Sequence, residues 1–256
     1  LGTIITKLPS LISKFPVFIQ ADLQQAWDAI SEFYLNNKLW ENGQCPWSET
    51  FTQDLLTIWS RSDFIKDSCL RYPQWLADLS KEGSVLHCSK SETGYREQLR
   101  LSIRCCQDEA ALMLTLREFR RAEMLRLIWR DLLNIAELEE TLTDVSALAD
   151  VCVSETLDHL YQQLVERYGV PMSQAKEGGS AIPQRMLVLG MGKHGAKELN
   201  VSSDIDLIFA YPETGMTEHP KKPIENHLFF TRLAQKLIYV LYHINGEGFV
   251  FRVDMR

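Results

Sequence analysis

Residues 185–211 read RMLVLGMGKHGAKELNVSSDIDLIFAY, and this stretch decides the predicted fold of the part of the chain around it. The apolar run 185–190 predicts one short β-strand, and the apolar run 206–211 predicts a second. Between the runs lie Gly192, Gly195 and a segment with room for only a short helix. The stretch therefore predicts two strands joined through a glycine loop.

The same loop matches the dinucleotide-binding pattern G-x-G-x-x-G at residues 190–195. That pattern needs a full crossover helix before the next strand, with an acidic residue near the end of that strand. Here only residues 196–203 intervene, and Asp204 and Asp206 open the second strand instead. A Walker phosphate-binding loop is excluded too, because no Gly-Lys-Ser/Thr follows a four-residue spacer. Dinucleotide binding is disfavoured.

Asp204 and Asp206 are separated by one residue in a predicted strand, so both carboxylates project from the same face. Two neighbouring carboxylates repel each other unless a cation lies between them, and Mg²⁺ together with substrate phosphates is the usual partner. Asp254 lies on a third predicted strand, 249–254, on the same face as Arg252 and Val250. The pattern predicts three carboxylates, Asp204, Asp206 and Asp254, as metal-binding and catalytic residues with Mg²⁺ as cofactor.

An isolated Asp-x-Asp is more often a solvated strand start, but the glycine loop upstream favours a phosphate site. Gly192 and Gly195 remove side chains that would block phosphate, and backbone N–H groups of the following short helix can meet its oxygens. Lys193 adds a positive charge, either as a phosphate contact or as a cap of the loop. His194 has no partner at ligand spacing, so packing within the loop is the favoured role for it.

The remainder of the chain predicts helices followed by a linker. Apolar residues recur at three and four positions from 21 to 168, and the longest such pattern runs from 95 to 135. Gly178, Gly179 and Ser180 lie in a segment that cannot hold a periodic helix. We expect a helical domain at 1–170, a linker at 171–183 and an α/β domain at 184–256. The last predicted strand runs nearly to Arg256, so we expect an incomplete domain cut from a longer protein.

Composition excludes several classes of protein. A formal net charge of −7 disfavours a broad nucleic-acid surface, and the six cysteines lack the spacing of a zinc site or a disulfide framework. No apolar run approaches the roughly 18 residues of a membrane span. We expect a soluble cytoplasmic protein whose partners include neither nucleic acid nor membrane.

Five stretches together resemble the bifunctional glutamine synthetase adenylyltransferase and adenylyl-removing enzymes, and in particular their N-terminal half. They are LGMGKHGAKELNVSSDIDLIFAYPE (189–213), FFTRLAQKLI (229–238), GFVFRVDMR (248–256), SDFIKDSCLR (62–71) and LREFRRAEMLRLIWRDLL (116–133). The resemblance implies an α+β fold, in which an N-terminal helical bundle precedes a polymerase-beta-like nucleotidyltransferase α/β palm that is truncated at its C-terminus.

The resemblance also implies an activity, the removal of AMP from adenylyl-tyrosine of glutamine synthetase. Orthophosphate attacks the AMP phosphorus and ADP leaves, under control by uridylylated PII signal protein and by glutamine. In this reading Gly192, Lys193 and Ser203 line the phosphate site together with Gly195. Phosphate is already anionic, so charge neutralisation and positioning matter more than a dedicated base.

Two other functions stay open. A different polymerase-beta-like nucleotidyltransferase with a helical appendage would share the glycine loop and the carboxylates. Alternatively, the chain is a partner-binding fragment that is inactive because of truncation. The arginines Arg117, Arg120 and Arg121 face one side of their predicted helix, while Arg126 and Arg130 face the other. They either form salt bridges within the helix or turn one group toward the phosphates.

Overall fold

The computed structural model describes residues 3–40, 45–81, 86, 88–174, 180–244, 246 and 248–255. Gly178, Gly179 and Arg256, on which the linker and chain-end predictions depend, lie outside the described residues. The helices are α1 Thr3–Ile12, α2 Val17–Asn36, α3 Glu49–Trp59, α4 Asp63–Arg71, α5 Trp75–Leu79, α6 Glu92–Ile103, α7 Glu109–Leu132, α8 Leu138–Tyr168, α9 Gly192–Gly195 and α10 Asn226–Tyr242. The strands are β1 Val170–Pro171, β2 Leu187–Met191, β3 Ile205–Ala210, β4 Thr217–Glu218 and β5 Val253–Met255.

Serine side chains cap the N-termini of three of these helices. Ser48, Ser62 and Ser91 each accept a hydrogen bond from a backbone N–H three residues later, at the starts of α3, α4 and α6. These bonds satisfy N–H groups that have no partner inside the helix, which explains where the helices start.

The first compact unit comprises Leu1–Ser89 and Met124–Leu138. Its core is apolar and rich in aromatic rings, with Trp27, Tyr34, Trp40 and Trp47 in mutual edge or stacked contact. Such rings bury large apolar areas, so this unit is held mainly by hydrophobic packing.

The second unit comprises Lys90–Glu123 and Glu139–Arg256. Its three-stranded sheet has the order β2-β3-β5, with β2 antiparallel and β5 parallel to β3. Ile205 and Leu207 of β3 are buried, as is the face of α10 that carries Phe229, Leu233 and Leu237. A two-stranded pairing of β1 with β4 lies in the same unit.

The long helix α8 is tied to α6 by a buried carboxylate. Glu155 is 3% exposed and accepts from Arg96 Nη1 at 2.5 Å and from Arg100 Nε at 2.6 Å. A buried charge needs such partners, so these two contacts attach α8 to α6 at Glu155.

The α+β class expected from the sequence is confirmed, with differences in detail. The pattern at 95–135 is not one helix, because α6 ends at Ile103 and Asp108 Oδ1 accepts from the Ala111 N–H at the start of α7. The compact units also divide the chain at other places than the domains 1–170 and 184–256, which remain a prediction. In the described part of the chain, no helix combines the length and the apolar character needed to cross a bilayer.

Candidate functional site

The sheet places two of the three nominated carboxylates side by side. Asp206 of β3 lies opposite Met191 of β2 and opposite Asp254 of β5 in the pairing register. Paired residues on adjacent strands share a face of the sheet, and the strands lie about 4.8 Å apart. Asp206 is half-buried and Asp254 is exposed, so a small ligand can reach both from solvent.

The strand that carries Asp254 is shorter than predicted. Residues 249–252 are outside β5, and the neighbours Val250 and Phe251 are both buried, which a strand with one solvated face does not allow. Their backbone N–H groups both donate to the carbonyl of Leu241, at 3.0 Å each. The chain here closes the end of α10 before it joins the sheet, so the predicted alternation from Val250 to Asp254 is wrong.

Asp204 lies just before β3 and is bound by an arginine that the sequence reasoning did not nominate. Arg252 Nε is 2.5 Å from Asp204 Oδ1, and Arg252 Nη2 donates to the carbonyl of Ser202 at 2.8 Å. Both side chains of the ion pair are about half exposed, at 46% and 52%. The available signal was the position of Arg252 two residues before Asp254, which the predicted strand placed on the same face.

Gly192 of the loop lies against the Asp206 carboxylate. Its φ of +55° is in the left-handed region, and a Cβ built on it would lie 2.6 Å from Asp206 Oδ2. Only glycine combines that backbone conformation with that close approach. The loop backbone and the Asp206 carboxylate therefore meet in one place.

Two other loop residues have different surroundings. Lys193 is exposed, and its ammonium makes no hydrogen bond or ion pair with the part of the chain that the structure describes. The Ser203 hydroxyl donates to Asn200 Oδ1 at 2.9 Å and accepts from the Asn200 N–H at 3.1 Å. Ser203 thus closes the turn before β3, and its predicted contact with phosphate stays a prediction.

Two arginines of α7, the buried Arg117 and the partly buried Arg120, contact the segment that leads into β5. Arg117 Nη2 donates to the carbonyl of His243 at 2.6 Å. The Arg120 guanidinium lies over the rings of Phe249 and Phe251, at 5.7 and 5.6 Å, and burial lowers the pKa of Arg120 to about 10. These contacts favour a structural role for the two arginines over the predicted alternative of facing phosphates.

The described residues contain no group of three or more His, Cys, Asp or Glu side chains close enough to hold a metal ion. The donor chemistry of Asp206 and Asp254 nevertheless suits Mg²⁺, since both are carboxylates on one sheet face. Asp204 is the third candidate, and its oxygen is engaged by Arg252. The described sheet therefore places two carboxylates in register, while the third candidate is held in an ion pair with Arg252.

Comparison with known proteins identifies the family to which the chain is similar. A family model described as glutamate-ammonia ligase adenylyltransferase matches residues 52–256. A bifunctional glutamine synthetase adenylyltransferase/adenylyl-removing enzyme of Pseudomonas aeruginosa is 46% identical over 210 residues, which cover 82% of this chain and 21% of that protein. The same-named proteins of Shewanella oneidensis and Hahella chejuensis are 38% and 37% identical, over 94% and 97% of the chain and 24% of each relative. The chain thus spans about a quarter or less of the length of these relatives.

Proposed function

Because the chain belongs to the glutamate-ammonia ligase adenylyltransferase family, we propose that its β2-β3-β5 sheet is the palm of a polymerase-beta-like nucleotidyltransferase. The proposed reaction is removal of AMP from adenylyl-tyrosine of glutamine synthetase by phosphorolysis. The observation that carries the proposal is the register of Asp206 beside Asp254, with Gly192 against the Asp206 carboxylate. The choice of removal over addition of AMP rests on the resemblance to the N-terminal half of the bifunctional enzymes.

The residues present suit a divalent metal of the Mg²⁺ type. A Cβ at Gly192 would lie 2.6 Å from Asp206 Oδ2, so the loop backbone reaches this carboxylate with no side chain between them. Asp206 and Asp254 would hold the metal, with Asp204 joining them after release from Arg252. When bound, Mg²⁺ supplies positive charge where two anionic phosphate groups must approach each other.

The protein groups then position the reactants. A bond forms between an orthophosphate oxygen and the AMP phosphorus, the bond from phosphorus to the tyrosyl oxygen breaks, and that oxygen takes up a proton. The loop backbone at Gly192 lets a phosphate approach without a side chain in the way, and the exposed Lys193 ammonium can pair with phosphate oxygens. Positioning and charge neutralisation account for catalysis of this kind without a dedicated base.

The proposed partners follow from the reaction and from the resemblance. Adenylylated glutamine synthetase is the substrate, orthophosphate the co-substrate and ADP the product. Uridylylated PII signal protein and glutamine are proposed as effectors, and they would act on the enzyme as part of a chain of the length of its relatives.

The test measures ADP released from adenylylated glutamine synthetase in the presence of Mg²⁺, orthophosphate and uridylylated PII. Residues 1–256 are assayed alone and within a longer chain of the length of the relatives. Asp206→Asn should abolish phosphate-dependent ADP release, because it removes one of the two adjacent carboxylates. Asp158→Asn is the matched control, since Asp158 pairs with Arg185 at 2.9 Å on the exposed surface of the same unit.

Full activity of Asp206→Asn in the longer chain would refute the assignment of Asp206 to the site. Addition of AMP from ATP, without phosphate-dependent removal, would assign the chain to the opposite reaction. Activity of the longer chain combined with inactivity of residues 1–256 would support the proposal and show that the site needs further sequence.

A further inference from the structure

The glycine loop is attached to helix α8 through a buried histidine. His194 lies in α9 with its side chain 3% exposed, and its Nε2 atom is 2.7 Å from Asp150 Oδ1. One turn earlier on α8, Ser146 Oγ accepts a hydrogen bond from the Leu199 N–H at 3.2 Å. Residues four apart on a helix share a face, so one face of α8 binds the loop at His194 and again at Leu199.

The loop is built around the His194 ring. A Cβ on Gly190 would lie 3.1 Å from His194 Nδ1, tighter than nearly all ordinary Cβ contacts. A Cβ on Gly195 would lie 2.5 Å from the carbonyl oxygen of Gly190, closer than any real Cβ contact. The ring thus fits between α8 and the backbone of Gly190, and the loop folds back on itself only because both positions are glycine.

Hydrogen bonding defines the orientation of the ring. An ionised carboxylate can only accept a hydrogen bond, so the Nε2–H group of His194 is the donor and Asp150 Oδ1 the acceptor. The Nδ1 atom is buried without a hydrogen-bond partner among the described residues. Asp150 therefore makes the one polar contact that fixes this ring within the described chain, in the way that carboxylates orient functional imidazoles.

From this geometry we infer that Asp150 is a positioning residue for the phosphate site, acting through His194. Lys193 and Gly192 directly precede His194 in the chain, and Gly192 lies against the Asp206 carboxylate. Release of the ring shifts the loop backbone that approaches phosphate, while the carboxylates on the sheet keep their register. The expected effect on the KM for orthophosphate rests on the proposed function. The attachment of the loop to α8 rests only on the contacts of His194 and Leu199.

The kinetic test compares Asp150→Ala with Asp150→Asn in a longer chain of the length of the relatives. The alanine should raise the KM for orthophosphate about tenfold, the lower end of the loss seen when a residue that orients a binding group is removed, and lower kcat less. The asparagine keeps a carbonyl oxygen that accepts from Nε2, so it should restore most of the affinity. Asp158→Ala is the matched control, because it removes an α8 carboxylate that binds Arg185 instead of the loop.

The structural test does not need activity. Amide hydrogen exchange in residues 192–199 should accelerate at least tenfold in Asp150→Ala and remain unchanged in Asp158→Ala. The thermal midpoint should fall only in Asp150→Ala, because that change leaves the buried His194 Nε2–H without its acceptor. Equal exchange and equal KM for the two alanine variants would overturn the inference. If the unsubstituted enzyme shows no phosphorolysis at all, the proposed function fails, while the exchange data still decide whether Asp150 holds the loop.

Discussion

Replacement of Gly192 by alanine tests the loop and the carboxylates together. The φ of +55° at Gly192 places an alanine in the left-handed region, which costs about 1–2 kcal/mol of stability. For a chain of this size, that cost lowers the thermal midpoint by about 2–8 °C. The backbone term alone predicts a folded and slightly less stable protein.

The added methyl group also meets the proposed metal ligand. At 2.6 Å from Asp206 Oδ2, the new Cβ is too close for van der Waals contact, so the carboxylate must turn. The turned Asp206 carboxylate then no longer faces the metal position beside Asp254. The affinity for a divalent metal should fall at least about tenfold, the loss seen when a residue that orients a metal ligand is changed. Gly192→Ala should therefore weaken metal binding at least about tenfold in a protein that still folds.

The assay pairs a Mn²⁺ titration, followed by electron paramagnetic resonance, with thermal unfolding of the same samples. Gly246→Ala is the matched control, because a Cβ at Gly246 meets nothing within 4 Å and its φ is not in the left-handed region. Unchanged Mn²⁺ affinity in Gly192→Ala, together with a lowered midpoint, would refute the link between loop and carboxylate. An unchanged midpoint would refute the backbone argument as well.

Three further predictions concern one exposed ion pair and two buried thiols. Arg252→Met should raise Mn²⁺ affinity by up to about fivefold, because an exposed ion pair with Asp204 is worth at most about 1 kcal/mol, and an equal or lower affinity would contradict this. Burial raises the pKa of Cys69 and of Cys152 to about 12, so a thiol reagent at pH 8 should modify the exposed Cys88 and spare these two until the protein unfolds. Since both thiols ionise near pH 9 in the unfolded chain, the free energy of unfolding should fall as pH rises from about 9 toward 12.

Local patterns were sufficient to predict the elements of the candidate site that are close in sequence. Short apolar runs predict the strands β2 and β3, and glycine predicts the loop between them, because the sequence pattern of a strand involves only neighbouring residues. The predicted strand 249–254 was too long at its start, because the N–H groups of Val250 and Phe251 bind the Leu241 carbonyl of α10 and not a neighbouring strand. Asp150 left no signal, because its role depends on His194, 44 residues away along the chain.

The glycine pattern 190–195 shows why a spacing motif alone cannot identify a ligand. Gly190 is required by the His194 ring, Gly192 by its φ and by Asp206, and Gly195 by the carbonyl oxygen of Gly190. None of these three causes involves a dinucleotide, yet together they reproduce the dinucleotide pattern. The feature that favours phosphate over a dinucleotide is the pair Asp204 and Asp206 after the loop, of which Asp206 lies against Gly192. A glycine pattern therefore constrains the backbone, and the side chains that the backbone approaches determine which ligand it serves.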